Sequence, residues 1–360
     1  MAPTAHTTQE APTPPTPPIA QEVSPGIFRM KIPLKNNPLG YINSYLLVTD
    51  EGCMLIDSGW NAEDAFAALE RGLAEAGVTF RDIKHLIVTH IHPDHYGLVG
   101  RLQNLTDADL ILHEIESQLL DSRYVNYDDL LVASENWLRI NGVSLNAAPT
   151  LQRASLEILG LVSVSLPNHL VSGGETITLG NISLEVLWTP GHSPGHICLY
   201  DKRRKLLFSG DHVLESITPN VSMNIQTQGN PLVDYQNSLR QIKSLPVDMV
   251  LPGHGNPFFD LPTRLDAILA HHAERLQEAL SLCTPGPITA FEVARNTTWF
   301  RAWDDLPLFS QRTAVTETLS HLELLLSRGQ LRKTTQNGIF FYSANCEPGT
   351  THEHVFNNGE

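Results

Sequence analysis

The 360-residue chain is short of basic residues: 24 Lys and Arg stand against 39 Asp and Glu, a formal net charge of -15 at pH 7. So acidic a chain is not built for general affinity to the DNA or RNA backbone, which requires basic surface, although a local basic patch is compatible with it. Cysteine is scarce as well. Cys53, Cys198, Cys283 and Cys346 form no CxxC pair, which argues against a disulfide framework or a cysteine zinc knuckle and fits free thiols in a reducing compartment. No apolar run approaches the ~20 residues that span a bilayer. The N-terminus has neither a basic n-region nor an apolar h-region. A soluble cytoplasmic protein with no membrane partner is therefore expected. There is no internal repeat.

What is present reads as an α/β chain with appended parts. Residues 1–22 are rich in Pro, Thr and Ala (APTPPTPPIA) and read as a disordered or polyproline-like tail, so the folded part is expected to start near Val23. Apolar patterning predicts strands over GIFRMKIP and YINSYLLVTD, around a turn at Lys35-Asn36-Asn37-Pro38, with Asn36–Leu39 as a candidate flap, and over CMLIDSG. NAEDAFAALERGLAEAG has helical spacing between a capping Asn61 and a terminal Gly77. HLIVTH and ADLILHE are further strands, and such alternation implies α/β layers. Residues from about 115 to 168 read as a helical insertion without a chemical motif (ESQLLDSRYV, DDLLVASENWLRING, ASLEILGLVS). Strands resume in ETITLGNISLEVLWTPG, HICLYDKRRKLLFSGD and DMVLPGHG, with NPLVDYQNSLRQIKSLP as a helix between the last two. The catalytic part thus covers 23–260. Residues 261–345 hold three predicted helices and a hairpin on Asn337-Gly338, a winged-helix-like module, and 346–360 reads as a flexible tail.

The chemistry concentrates in THIHPDH, which sets His90, His92, Asp94 and His95 directly after an apolar strand. Imidazole and carboxylate are the donors expected for zinc, iron or manganese. Four such residues within six positions are too many for one tetrahedral ion that must also hold substrate, and two adjacent ions account for them better. Pro93 stiffens the turn between them. Three later segments repeat the layout of strand, glycine and ligand: VLWTPGHSPGH with His192 and His196, LLFSGDH with Asp211 and His212, and MVLPGHG with His254. The glycines permit close turns that aim side chains at one centre.

In this order, HxHxDH, TPGHSPGH, SGD and PGHG resemble the metallo-β-lactamase superfamily over about residues 24–260. The resemblance implies a four-layer αβ/βα sandwich. It implies that His90, His92 and His192 hold one metal, that Asp94, His95 and His254 hold the second, and that Asp211 bridges them, with Asp57 a buried structural aspartate. Residues 262–345 are similar to the winged-helix-like extension of one hydrolase branch. Two divalent ions, zinc first and iron or manganese by the same donors, would turn a bridging water into hydroxide near neutral pH. Asp94 is the expected catalytic residue, orienting that nucleophile and shuttling its proton.

Other residues carry less. His196 is expected to hydrogen-bond behind the ligands, with substrate contact as the alternative. His212 points to the opposite face of its strand. His113 is expected to be structural. His271 and His272 are expected at a surface or docking face, and His85 carries no signal. Trp60, Tyr124, Tyr127 and Trp137 are candidates for a pocket wall or for packing.

Several branches of the superfamily fit poorly. Asp211 argues against a true β-lactamase, the complete set of seven ligands against a persulfide dioxygenase, and Leu214 against the lactonase pattern of a tyrosine three residues after the bridging aspartate. The C-terminal region, with Arg301, Arg312 and Lys333, is not conspicuously basic, unlike that of glyoxalase II enzymes. The first expectation is therefore a dinuclear hydrolase of small-molecule esters or thioesters, acyl-thioesters and lactones included. The alternatives are a phosphodiesterase or endoribonuclease on the same metals, and a non-catalytic binding or dimerisation protein with a remnant site. A homo-oligomer is compatible with all three.

Overall fold

The computed structural model describes residues 18–153 and 159–345. The first sheet has seven strands in sequence order: β1 (Ala20–Ser24), β2 (Ile27–Pro33), β3 (Tyr41–Thr49), β4 (Gly52–Ile56), β5 (Ile83–Ile87), β6 (Asp109–His113) and β7 (His169–Val171). It is antiparallel from β1 to β4 and parallel from β4 to β7. The second sheet runs β12 (Met249–Pro252), β11 (Leu206–Gly210), β10 (Ile197–Asp201), β9 (Ile182–Trp188), β8 (Thr176–Leu179).

Strand alternation builds the sandwich. In β4, Met54 and Ile56 join Tyr45, Leu47, Ile87 and Ile111 between the sheets, where they meet Leu184, Val186, Leu199 and Phe208 of the second sheet. Cys53 and Leu55, one residue out of phase, face outward onto Leu69 and Leu73 of helix α1 (Glu63–Glu75). A strand buried on both faces reads as a continuous apolar run, which is why CMLI carries no polar alternation. On the far side, α7 (Pro231–Ile242) and α8 (Leu261–Leu282) cover the second sheet through Leu232, Leu239, Leu265 and Ile268. The four layers are those of the αβ/βα sandwich expected. Among the described residues no helix is long and apolar enough to cross a membrane.

Three local expectations need correction. The tail expected over residues 1–22 does not extend to residue 22, because Ala20, Gln21 and Glu22 pair with Met30, Arg29 and Phe28 as an edge strand. The N–H groups of Ile19 and Ala20 donate to the Glu75 carboxylate at 2.8 and 2.9 Å. The proline run, which cannot donate to a ladder, stops at Pro18. Residues 1–17 and 346–360, Cys346 among them, lie outside the described residues, as do 154–158 of the expected helix ASLEILGLVS. Helix α1 is capped at Ala62 without a side-chain bond, so Asn61 is not its cap; the Asn61 N–H instead donates to Leu161 O at 2.8 Å. His272 is buried, not at a surface, between Tyr235 and His321 with ring centroids 5.6 and 5.3 Å away.

The short α2 (Pro93–Tyr96) and α3 (Val99–Gln103) follow the histidine motif. The helical insertion comprises α4 (Glu114–Leu120), a π-turn at Asp121–Val125, α5 (Asp128–Ile140) and α6 (Ala148–Arg153). The C-terminal module comprises α9 (Ala290–Asn296), α10 (Leu308–Ser327) and the hairpin β13 (Leu331–Gln336) and β14 (Ile339–Ala344). Its turn residues Asn337 and Gly338 have φ of 51° and 77°, the left-handed pair that a tight hairpin requires. One apolar cluster runs from Leu207 and Val250 through Leu232 to Val315, Leu319, Leu322 and Tyr342. The module therefore shares its core with the sandwich.

Candidate metal centre

The site is assembled from strand ends. After β5 the chain passes through buried Val88 and Thr89 to His90. Asp57, just past β4, is held in the left-handed region (φ 59°). Its carboxylate accepts from Thr89 N at 2.8 Å and Thr89 Oγ1 at 2.9 Å, and lies 2.8 Å from His95 Nδ1. Pro93 opens α2, whose single turn carries Asp94 and His95 inward. His192, Asp211 and His254 arrive on the turns after β9, β11 and β12.

All seven expected ligands come together. Three groups bring their donor atoms within 4.8 Å of one another: His90, His92 and His192; Asp94, His95 and His254; and His90, His95 and Asp211. In the first, the Nε2 atoms of His90 and His192 each lie 2.9 Å from His92 Nδ1. In the second, Asp94 Oδ2 is 3.0 Å from His254 Nε2 and 3.9 Å from His95 Nε2. Asp211 stands between the groups, with Oδ1 3.4 Å from His95 Nε2 and Oδ2 3.5 and 3.7 Å from the Nε2 atoms of His254 and His192.

The rings are aimed from behind. His95 Nδ1 meets Asp57, His192 Nδ1 meets Asn220 O at 2.8 Å, His254 Nδ1 meets Tyr41 O at 2.9 Å, and His90 Nδ1 meets Thr89 Oγ1 at 3.1 Å. Fixing one ring nitrogen leaves the other directed at the centre, the usual device around metals. His95 Nε2, His254 Nε2 and Asp211 Oδ1 are buried there with charged neighbours at 3.0–3.5 Å but no well-directed hydrogen bond. Leaving such atoms unpaired costs about 1–3 kcal/mol each, a cost that divalent cations would remove. Glycine makes the approach feasible: a Cβ on Gly253 would sit 2.6 Å from Asp211 Oδ1 and 2.8 Å from His95 Cε1.

The electrostatics suit a cation. Burial opposes ionisation of Asp211, but His254 and His95 outweigh it and pull its carboxyl well below the usual range. Burial likewise opposes protonation of His254, yet Asp211 and Asp94 raise it to about 9. Buried negative charge is thus drawing protons to the positions where metal would bind.

His196 lies behind the ligands: its Nε2 accepts from Asp211 N at 3.1 Å and its Nδ1 meets Thr189 Oγ1 at 2.9 Å. His212 turns away and packs on Tyr235. His113 caps α4 by accepting from Ile115 N and stacks on Trp188. Trp60 packs on the helix-side core and Trp137 on the C-terminal core.

The sequence reading missed the residues that brace these loops. Glu116 is fully buried. Its carboxylate accepts from Ile91 N at 2.9 Å, from Gly195 N at 2.8 Å and from the Ser193 hydroxyl, joining the His90–His92 loop to the His192–His196 loop. Tyr124, expected as pocket wall or packing, also donates to Ile91 O. Helix α10 fixes the loop that orients His192: Glu317 accepts from Asn220 Nδ2 at 2.8 Å, Ser320 donates to Val221 O, and Met223 N donates to Thr316 O at 3.0 Å.

Burial lifts the Glu317 carboxyl to about 7. Between the unfolded value near 4.3 and that folded value the native state binds the extra proton, so stability falls as pH rises through this window. Glu317→Gln is expected to flatten the decline, measured as Tm at pH 5 against pH 8.

The comparisons agree with this geometry. The profile of the Metallo-beta-lactamase superfamily matches residues 37–254. A crystal structure of a metallo-beta-lactamase family protein from Thermus thermophilus superposes with a TM-score of 0.76 at 32% identity, covering 90% of this chain and all of that one. The "Probable metallo-hydrolase YqjP" of Bacillus subtilis is 27% identical over 286 residues, 78% of this chain and 86% of its own. The human "Acyl-coenzyme A thioesterase MBLAC2" is 30% identical over 176 residues, 48% of this chain and 56% of its own. The chain belongs to the metallo-β-lactamase superfamily.

Proposed function

We propose that the protein is a dinuclear metal-dependent hydrolase of esters or thioesters, with acyl-thioesters foremost. The observation that carries the reading is Asp211, set between the His90–His92–His192 and Asp94–His95–His254 groups within 3.4–3.7 Å of ligand nitrogens from both. The thioester choice is supported by the human relative named an acyl-coenzyme A thioesterase.

The donor set is nitrogen-rich with two carboxylates, which suits zinc and also admits iron or manganese. Two such ions, when bound, lower the pKa of water to near neutrality and polarise the substrate oxygen. The chain does the rest. His90, His92 and His192 form one face, His95 and His254 the other, and Asp211 holds the two in register. Asp94 lies at the edge of the second group, where its carboxylate accepts the proton of the attacking water and returns it to the departing thiol or alcohol. The outer bonds to Asp57, Asn220 and Tyr41 keep the rings from turning as charge shifts.

A panel of p-nitrophenyl esters, acyl-coenzyme A thioesters, lactones and bis-p-nitrophenyl phosphate, assayed with and without chelator, tests the reading. Thioester or ester cleavage lost with chelator and restored by zinc is expected. Chelator-sensitive cleavage of the phosphodiester alone would overturn the substrate class.

A further inference from the structure

Two arginines, Arg123 and Arg312, stand on the two elements that hold loop 220–226 beside the centre, and among the described residues neither is in a salt bridge. Arg123 belongs to the π-turn Asp121–Val125, whose next residue, Tyr124, donates to Ile91 O between His90 and His92. Arg312 belongs to α10. One and two turns further along that helix, Thr316 meets Ser222 and Ser320 donates to Val221 O, so positions 312, 316 and 320 share the face turned to the loop that orients His192. The same loop continues to Gln226, which accepts from Arg123 Nε at 3.2 Å and donates to Ser122 Oγ at 2.8 Å. Loop 220–226 thus meets Arg123 directly and also meets the face of α10 that carries position 312.

Among the described residues, no carboxylate forms a salt bridge with either arginine, although acidic residues outnumber basic ones 39 to 24 along the chain. Arg312 Nε is shut off from solvent with no hydrogen-bond partner. Burial, and next the charge of Arg123, lower the Arg312 guanidinium to about 10. Holding two cations together, one partly desolvated, is unfavourable unless an anion joins them. The guanidinium fork matches phosphate and carboxylate oxygens in bidentate fashion. The three segments that carry this cluster also expose apolar side chains: Val125 at 54%, Ile225 at 44%, Leu308 at 45% and Phe309 at 42%.

We propose that Arg123 and Arg312 form an anion subsite that receives an oxyanion of the substrate, a phosphate of its leaving group or a carboxylate of its acyl group, while the adjoining apolar side chains receive hydrocarbon. The proposal rests on the thioesterase reading and narrows it to anionic thioesters. The insertion and the C-terminal module then supply specificity jointly, one arginine each.

The test has a binding arm and a kinetic arm. Pyrophosphate is titrated calorimetrically into the full-length protein, with and without chelator, and into Arg123→Gln, Arg312→Gln and Arg312→Lys. Affinity is expected to fall about tenfold or more in either glutamine variant, whether or not metal is bound, and to be partly kept by the lysine variant. Equal affinity in all four proteins overturns the subsite. The kinetic arm compares butyryl-coenzyme A, the succinyl thioester of N-acetylcysteamine and its neutral butyryl thioester. The glutamine variants are expected to lose kcat/KM for whichever anionic substrate uses the subsite, with the neutral thioester changed less than about twofold; the substrate affected identifies phosphate or carboxylate as the oxyanion. Parallel losses on all three substrates count against the proposal. Arginine-dependent pyrophosphate binding with no turnover of any thioester leaves the subsite standing and refutes the thioesterase reading instead.

Discussion

Asp94→Ala is expected to lower kcat for the best thioester or ester by about a thousandfold or more while leaving the fold intact, since general acid–base groups contribute 10²–10⁴ and this one also ligates. Asp94 carries no structural burden comparable to that of Asp57: its shortest ion-pair distance is 3.0 Å, to His254 Nε2, another candidate ligand. Its removal leaves His254 still aimed by Tyr41 O and His95 still aimed by Asp57. His90, His92, His192 and Asp211 are untouched, so the first metal is expected to remain and the second to weaken. Asp94→Asn separates the two roles. The amide oxygen can ligate but cannot take a proton, so metal content is expected near wild type and kcat nearly as low as in the alanine protein. The measurements are kcat and metal stoichiometry by mass spectrometry on the same samples. Wild-type kcat in either metal-replete variant would sink the assignment.

The convergence of the candidate ligands was legible because metal chemistry leaves short-range signals: THIHPDH packs four donor-type residues into six positions, and each later candidate follows an apolar strand and a glycine. The sandwich was legible for a related reason, since strands buried on both faces give runs such as CMLI and helices give the spacing of NAEDAFAALERG. What was not legible acts through the backbone over long distances. Glu116 binds N–H groups 25 and 79 positions away, and Asn220 lies 97 positions from Glu317; nothing local distinguishes such residues from polar surface. His272 is a different case, because its place was readable. Leu265, Ile268, His272, Leu276 and Ala279 fall three or four apart on α8 and are all buried, so the apolar stripe already included the histidine. The separate domain expected after residue 260 is joined to the sandwich by a core that a hydrophobic pattern cannot assign to one partner or another.

Glu116→Gln is expected to weaken metal binding about tenfold to a hundredfold although Glu116 touches no metal, as outer partners of ligands commonly do. The carboxylate gathers three donors from two loops: Ile91 N, between His90 and His92, and Ser193 Oγ and Gly195 N, between His192 and His196. A glutamine offers one acceptor oxygen, and its NH2 group faces a donor wherever the second oxygen had been. At least one buried N–H or O–H is left unpaired and a charge-assisted bond worth about 1.5–3 kcal/mol is lost. The loops then separate by whatever relaxes that clash, and the His90–His92–His192 group, whose nitrogens lie 2.9 Å apart in the braced form, opens with them. Thermal melting with and without chelator isolates the structural cost, and competition against a chromophoric chelator gives the metal Kd. If Glu116 merely packs, Gln and Ala variants will melt earlier while Kd stays at the wild-type value; if it braces the centre, Kd rises in both and the loss in Tm is larger with metal than without, because the folded form then also forfeits part of the stabilisation that ligand binding confers.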